Sequence, residues 1–226
     1  MITTHIFGGL GNQLFHYCCG GALSLRHNVK LQLLWSDREK ENTTTRAFDL
    51  GHFNIRSEII MSPKPLRLLG LRSVQSFLQY GPARVFREFA LGCDPRFASL
   101  GPHARLKGYW QSENFFKAFE DMSREDLNIL TLPWAQNQSL LDPIASHNAV
   151  SLHVRRRDYV TNPLANAHHG ICDLGYYKTA IEYIAGRTQE APILYIFSDD
   201  IAWAKQNLKP QYETIFVDIN DEATNY

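Results

Sequence analysis

The chain has 226 residues, 44% of them hydrophobic, and 23 Lys and Arg are balanced by 23 Asp and Glu. That length can hold one large apolar core or two small ones, and the composition excludes a disordered or fibrous chain. A balanced charge also excludes a broad field drawing the protein to nucleic acid or lipid, so any anion site must be local. Met1 is not followed by a basic segment running into an apolar core, and no stretch approaches the ~20 apolar residues of a membrane span. The expectation is a cytoplasmic protein with at most peripheral association at the inner membrane face. Cys18, Cys19, Cys93 and Cys172 form no Cys-x-x-Cys pair, so reduced and mostly buried thiols are expected.

In chain order, residues 3–7 read as a strand that ends in Gly8-Gly9-Leu10-Gly11-Asn12, and an apolar helix follows over 13–26. Leu14, Cys18, Ala22 and Leu25 share one face of that helix. Phe15, Tyr17, Cys19 and Leu23 leave little of the rest polar, which predicts burial. A strand over 29–34 completes a β-α-β unit with a parallel pair. Between 37 and 102, polar runs such as 41–45 alternate with short amphipathic pieces such as 66–71, and loops and short helices are expected. A strand over 105–109 leads into Trp110-Gln111-Ser112-Glu113, then a helix over 113–119 and another over 123–130 with Ser123 as its cap.

A second module is expected from about residue 132. From 149 the pattern is regular: strand 149–154, helix 174–185, strand 193–197, helix 201–208, strand 214–217. Such alternation predicts a parallel sheet covered on both faces, with ligands outside the carboxyl ends of its strands. The cluster His153-Val154-Arg155-Arg156-Arg157-Asp158 follows one strand end and Ser198-Asp199-Asp200 follows the next, so the two should share a crevice.

Three consecutive arginines carry the chemistry, because each guanidinium stays charged and its fork of donors matches phosphate oxygens. In an extended segment Arg155 and Arg157 would point one way and Arg156 the other. The duller reading leaves two of them paired with carboxylates or facing solvent. Gly8, Gly9 and Gly11 permit close backbone approach at the start of a helix, either to a ligand or only for packing. Asp199 and Asp200 could accept bonds from a ligand or cap the following helix, one each, with Asp199 the better ligand candidate.

His153-Val154-Arg155-Arg156-Arg157-Asp158 resembles the H-x-R-R-x-D motif shared by α-1,2-, α-1,6- and protein O-fucosyltransferases. Gly8-Gly9-Leu10-Gly11-Asn12-Gln13-Leu14-Phe15, Gly108-Tyr109-Trp110-Gln111-Ser112-Glu113 and Phe197-Ser198-Asp199-Asp200 add three matches in the expected order. Together they resemble glycosyltransferase family 11, the α-1,2-fucosyltransferases, over nearly the whole chain. The resemblance implies an α/β, GT-B-like fold, two Rossmann-like domains facing a cleft. The N-terminal domain, 1–131, would take the acceptor and the C-terminal domain, 132–226, GDP-fucose. It also implies inverting transfer to the 2-hydroxyl of a terminal galactoside, carried by an oligosaccharide or a lipid-linked glycan, with no cofactor, no essential metal and no nucleic-acid partner. No Asp-x-Asp occurs in the sequence, in keeping with arginine rather than a cation neutralising the leaving diphosphate.

On this reading Arg155, Arg156 and Asp158 are the catalytic candidates. His153, Gly9, Gly11, Asn12, Gln13, Ser198 and Asp199 are the substrate- or donor-binding ones, and Asp158, Glu113 and His16 are bases by residue type alone. Tyr176 and Tyr177 also match the family pattern, although helical aromatics are more often core. The family normally continues beyond the position of Tyr226, so a truncated second domain is expected. The rival reading is a non-catalytic homologue that binds GDP or glycan without turnover.

Overall fold

The computed structural model describes residues 1–35, 47–61, 84–89, 92–163, 166–167 and 170–219; the polar run 41–45 and the amphipathic piece 66–71 lie outside them. The chain divides into two compact units, Met1–Leu132 and Pro133–Tyr226.

The first unit is built on β1 (Ile2–Ile6), α1 (Leu10–Arg26), β2 (Leu31–Trp35), β3 (Glu58–Met61), β4 (Arg84–Arg87) and β5 (Ala104–Lys107). All strand pairs are parallel, in the order β3-β2-β1-β5-β4. The central β1 buries Ile2, Thr3, Thr4 and Ile6, as a strand covered on both faces must. β3 and β4 fall where loops and short helices were expected. Both are four-residue edge strands, and Ile59 and Val85 are exposed, so neither carries the apolar run that marks a central strand.

α1 starts at Leu10, three residues earlier than the apolar pattern indicates, with Gly9 as its N-cap. Its face from Gln13 to Ser24 is buried, but Leu25, expected on the core face, is 47% exposed. Gly20 explains how the helix lies against its sheet. A Cβ there would sit 2.1 Å from Thr4 Oγ1 and 2.9 Å from Leu31 Cδ1. Thr4 is β-branched, buried and on the central strand, so it cannot retreat. Gly20→Ala should therefore destabilise the protein by about 1–2 kcal/mol, overpacking outweighing the better helix propensity, and a thermal melt would read this directly.

The expected helix over 113–119 is two 3₁₀ turns, Glu113–Phe115 and Lys117–Phe119, the first capped by Ser112. Ser123 caps nothing. It is buried inside α2 (Glu120–Asp126) and bonds back to the Phe119 carbonyl, while Glu120 and Asp121 supply the first-turn acids. Nearby, Asp126 is buried, accepts a 2.6 Å bond from Tyr17 Oη and pairs with Arg56 Nε at 2.7 Å. The aromatic core of this unit gathers Phe86, Phe97, Trp110 and Phe115 beneath β4 and β5.

The second unit contains α3 (Ala135–Ser146), β6 (Ala149–Val154), α4 (Arg157–Thr161), α5 (Leu174–Ala185), β7 (Ile193–Ser198), α6 (Ile201–Asn207) and β8 (Thr214–Phe216). α3 has no fully buried residue and holds Pro143, which hides it from a periodicity reading. The sheet is parallel, in the order β6-β7-β8, and Val154 pairs with Ser198. β6 and β7 therefore end level, which sets the turns that follow them side by side. Val154, Leu194, Ile196, Tyr177 and Ile181 form the core beneath.

No helix among the described residues is long and apolar enough to cross a membrane. All four cysteines are free thiols. Cys18 and Cys19 are buried as expected, whereas Cys93 and Cys172 are exposed.

Candidate functional site

At the level ends of β6 and β7, Ser198 Oγ donates to the Val154 carbonyl at 2.8 Å and accepts from Asp200 N at 2.9 Å. It is a tie between the two strand ends. Asp199 accepts from the Arg156 amide at 2.7 Å, and its other oxygen lies 3.2 Å from Arg155 Nε. The carboxylate expected to meet ligand thus holds the arginine turn in place. Asp200 caps α6 by accepting from Trp203 N.

The three arginines do not alternate as an extended segment would. β6 stops at Val154 and α4 starts at Arg157, so Arg155 and Arg156 occupy the turn itself. Arg155 is drawn to Asp199 and its guanidinium lies 5.4 Å from the Tyr159 ring. Arg156 sits over Trp203, guanidinium carbon to ring centroid 3.6 Å, with Asp200 3.8 Å from its Nε. Contact with an indole holds the guanidinium without consuming its donors, and its Asp200 neighbour, 3.8 Å away, is too distant for a hydrogen bond.

Arg156 and Trp203 line a cavity of about 520 Å³ with Ile171, Cys172, Asp173, Leu174 and Gly175. The last two open α5, whose cap Asp173 accepts from Tyr176 N at 2.7 Å. First-turn amides lack helical partners and carry the positive end of the helix dipole, so a fixed cation and a helix N-terminus line one pocket. Trp203 was not singled out by sequence, and a Trp three residues after a capping Asp was the available signal; the start of α5 was noted there only for Tyr176 and Tyr177. His153 is exposed on β6 opposite Phe197. Asp158 belongs to α4, and its side chain lies outside the described part of the chain. Tyr177 is buried, which pushes its hydroxyl pKa up, and Tyr176 is exposed.

The glycine turn lies in the first unit. Gly8 has φ +77°, and a Cβ there would approach Asn12 Nδ2 to 2.7 Å. Around Gly9 and Gly11 the Cβ positions meet nothing within 4 Å, which leaves open space over the start of α1. Asn12 Oδ1 accepts from Gln111 Nε2 at 2.7 Å. Gln13 does not point toward a ligand. It is fully buried, donates to the Gly8 and Ala47 carbonyls and accepts from Asp49 N, so its amide is consumed in fixing the turn.

Two of the three candidate bases have other tasks. Glu113 pairs with Lys117 at 3.1 Å on the surface. His16 is fully buried beside Phe7 and Tyr109, and burial lowers its pKa to about 4, only partly offset by the Gly108 backbone. A histidine with no exposed atom cannot receive an acceptor's proton. Among the described residues no group of three or more His, Cys, Asp or Glu is arranged to hold a metal ion.

The Glycosyl transferase family 11 profile matches residues 85–223. The chain is 31% identical to an α-1,2-colitosyltransferase of Escherichia coli over 217 residues, 91% of this chain and 71% of that protein. It is also 29% identical to the O-antigen biosynthesis glycosyltransferase WbnK of Escherichia coli, over 92% of this chain and 76% of that one. Among solved structures, the fucosyltransferase NodZ from Bradyrhizobium aligns with a TM-score of 0.48 at 13% identity, covering 95% of this chain and 77% of NodZ. The chain belongs to glycosyltransferase family 11.

Proposed function

We propose that the protein transfers L-fucose from GDP-fucose to the 2-hydroxyl of a terminal galactoside in a glycan, with inversion at the fucose anomeric carbon. The observation that carries this reading is Arg156, seated over Trp203 in a cavity that also holds the N-terminus of α5. In the reaction the acceptor oxygen attacks the anomeric carbon, the bond from that carbon to the β-phosphate oxygen breaks, and its electron pair stays on GDP. The hydroxyl proton passes to a base or to water. Charge develops on the diphosphate as the sugar becomes oxocarbenium-like, so a cation already oriented before the reaction stabilises the transition state more than the ground state. Arg156 takes this role and needs no cofactor. Arg155 and Asp199 hold the turn that presents it.

In this reading the second unit binds the nucleotide sugar and the first unit, with its glycine turn, receives the acceptor, in a GT-B-like arrangement. A second reading of the donor is favoured by the 31% identity to an α-1,2-colitosyltransferase: the transferred sugar would be colitose, the 3-deoxy counterpart of fucose. The experiment is GDP release and product mass with lactose, using GDP-fucose and then nucleotide-activated colitose. Acceptor-dependent release with fucose added to lactose supports the first reading, and turnover with colitose alone supports the second. Nucleotide binding without turnover on either donor or any β-galactoside would overturn both.

A further inference from the structure

Trp110 is the only described residue larger than asparagine with a positive φ, +58°, and it is fully buried. For a bulky side chain this is a strained conformation, kept only where the surroundings over-determine it. The surroundings here are specific. Tyr109 N donates to Glu88 Oε2 at 2.7 Å, and Trp110 N lies 3.2 Å from Glu88 Oε1 and 3.3 Å from Oε2. Gly108 allows this approach, since a Cβ there would sit 2.5 Å from Glu88 Cβ.

The left-handed step sends consecutive side chains to opposite fates. Trp110 packs into the aromatic core, while Tyr109 emerges beyond the carboxyl end of β5, 49% exposed. Its ring makes a T-shaped contact with Phe7, centroids 5.1 Å apart, just after the carboxyl end of β1. Beside it the exposed Gln111 bonds the half-buried Asn12. The open positions over Gly9 and Gly11 adjoin Asn12 in α1. A half-exposed aromatic side chain with neutral amides next to it matches a pyranose, which has an apolar C–H face and a rim of hydroxyls.

We propose that Tyr109 is the stacking platform for the acceptor sugar ring, with Asn12 and Gln111 bonding its hydroxyls and Glu88 as the positioning residue that holds the platform out. This rests on the galactoside-transfer reading and adds to it the residues that seat the acceptor. Saturation-transfer NMR with lactose on the full chain tests it independently of turnover. Wild type and Tyr109→Phe should show transfer to the galactose C–H protons, and Tyr109→Ala should lose it. Where transfer activity is present, Tyr109→Ala should raise the acceptor KM about tenfold. Tyr109→Phe should stay near wild type, and neither should move the KM for the nucleotide sugar. Glu88→Ala should imitate Tyr109→Ala. Absent saturation transfer in wild type, unchanged transfer in Tyr109→Ala, or a shift confined to the donor KM would each overturn the proposal. A chain that shows saturation transfer but no turnover would keep the platform and defeat only the transferase reading.

Discussion

Arg156→Ala should lower kcat for sugar transfer at least about a hundredfold, the cost of removing one oriented donor from a developing oxyanion. The three arginines differ in what holds them. Arg155 is engaged with Asp199, and Arg157 is exposed at the start of α4. Arg156 lies on Trp203 and lines the cavity at the start of α5. Arg156→Lys keeps the charge but loses the planar fork and the guanidinium contact with Trp203, so it should recover only part of the rate. Arg155→Ala should act more mildly and mainly by loosening the turn, and Asp199→Asn should resemble it. Acceptor-dependent GDP release at saturating donor measures all four. Near-normal kcat in Arg156→Ala would falsify the assignment.

The second unit was the more legible half of the chain. Its strands are short apolar runs and α5 is amphipathic, so the pattern names the strands, α5 and α6 and places both polar turns at strand ends, while α3 and α4 escape it. Sequence could not tell which arginine does what. That depends on Asp199, 43 positions from Arg156, and on a Trp whose importance comes from what lies on top of it. The same limit operates in the first unit. Gln13 reads as a polar residue next to a glycine turn, and only the fold reveals Ala47 and Asp49 as its partners. Glu88 reads as one charge in an uncertain stretch, yet it fixes the backbone 21 residues later. β3 and β4 escaped because an edge strand is specified by its neighbour's hydrogen bonds more than by its own apolar content.

The first unit should also lose stability on mild acidification, well before its carboxylates titrate. Burial is the largest cause lowering the pKa of both His5 and His16 to about 4, with Arg105, Lys107 and Arg87 adding repulsion at His5, and His5 adding it at His16. The Gly108 backbone favours the protonated His16 ring and offsets part of this, but burial outweighs it. With a folded value near 4 and an unfolded value near 6.5, the unfolded chain binds more protons throughout that interval. The stabilisation is fully present above about pH 6.5, falls as the pH drops, and is exhausted near pH 4. For His16 the loss amounts to roughly 2 kcal/mol by pH 5, a large part of the ~5–15 kcal/mol that holds a typical fold. His16→Phe keeps an aromatic ring against Phe7 and Tyr109 and removes the titration. Melting temperatures from pH 7.5 to 5 should therefore fall less steeply in His16→Phe than in wild type. Identical slopes would mean that the ring is protonated in place without penalty, and that the packing around it opens far more readily than its full burial implies.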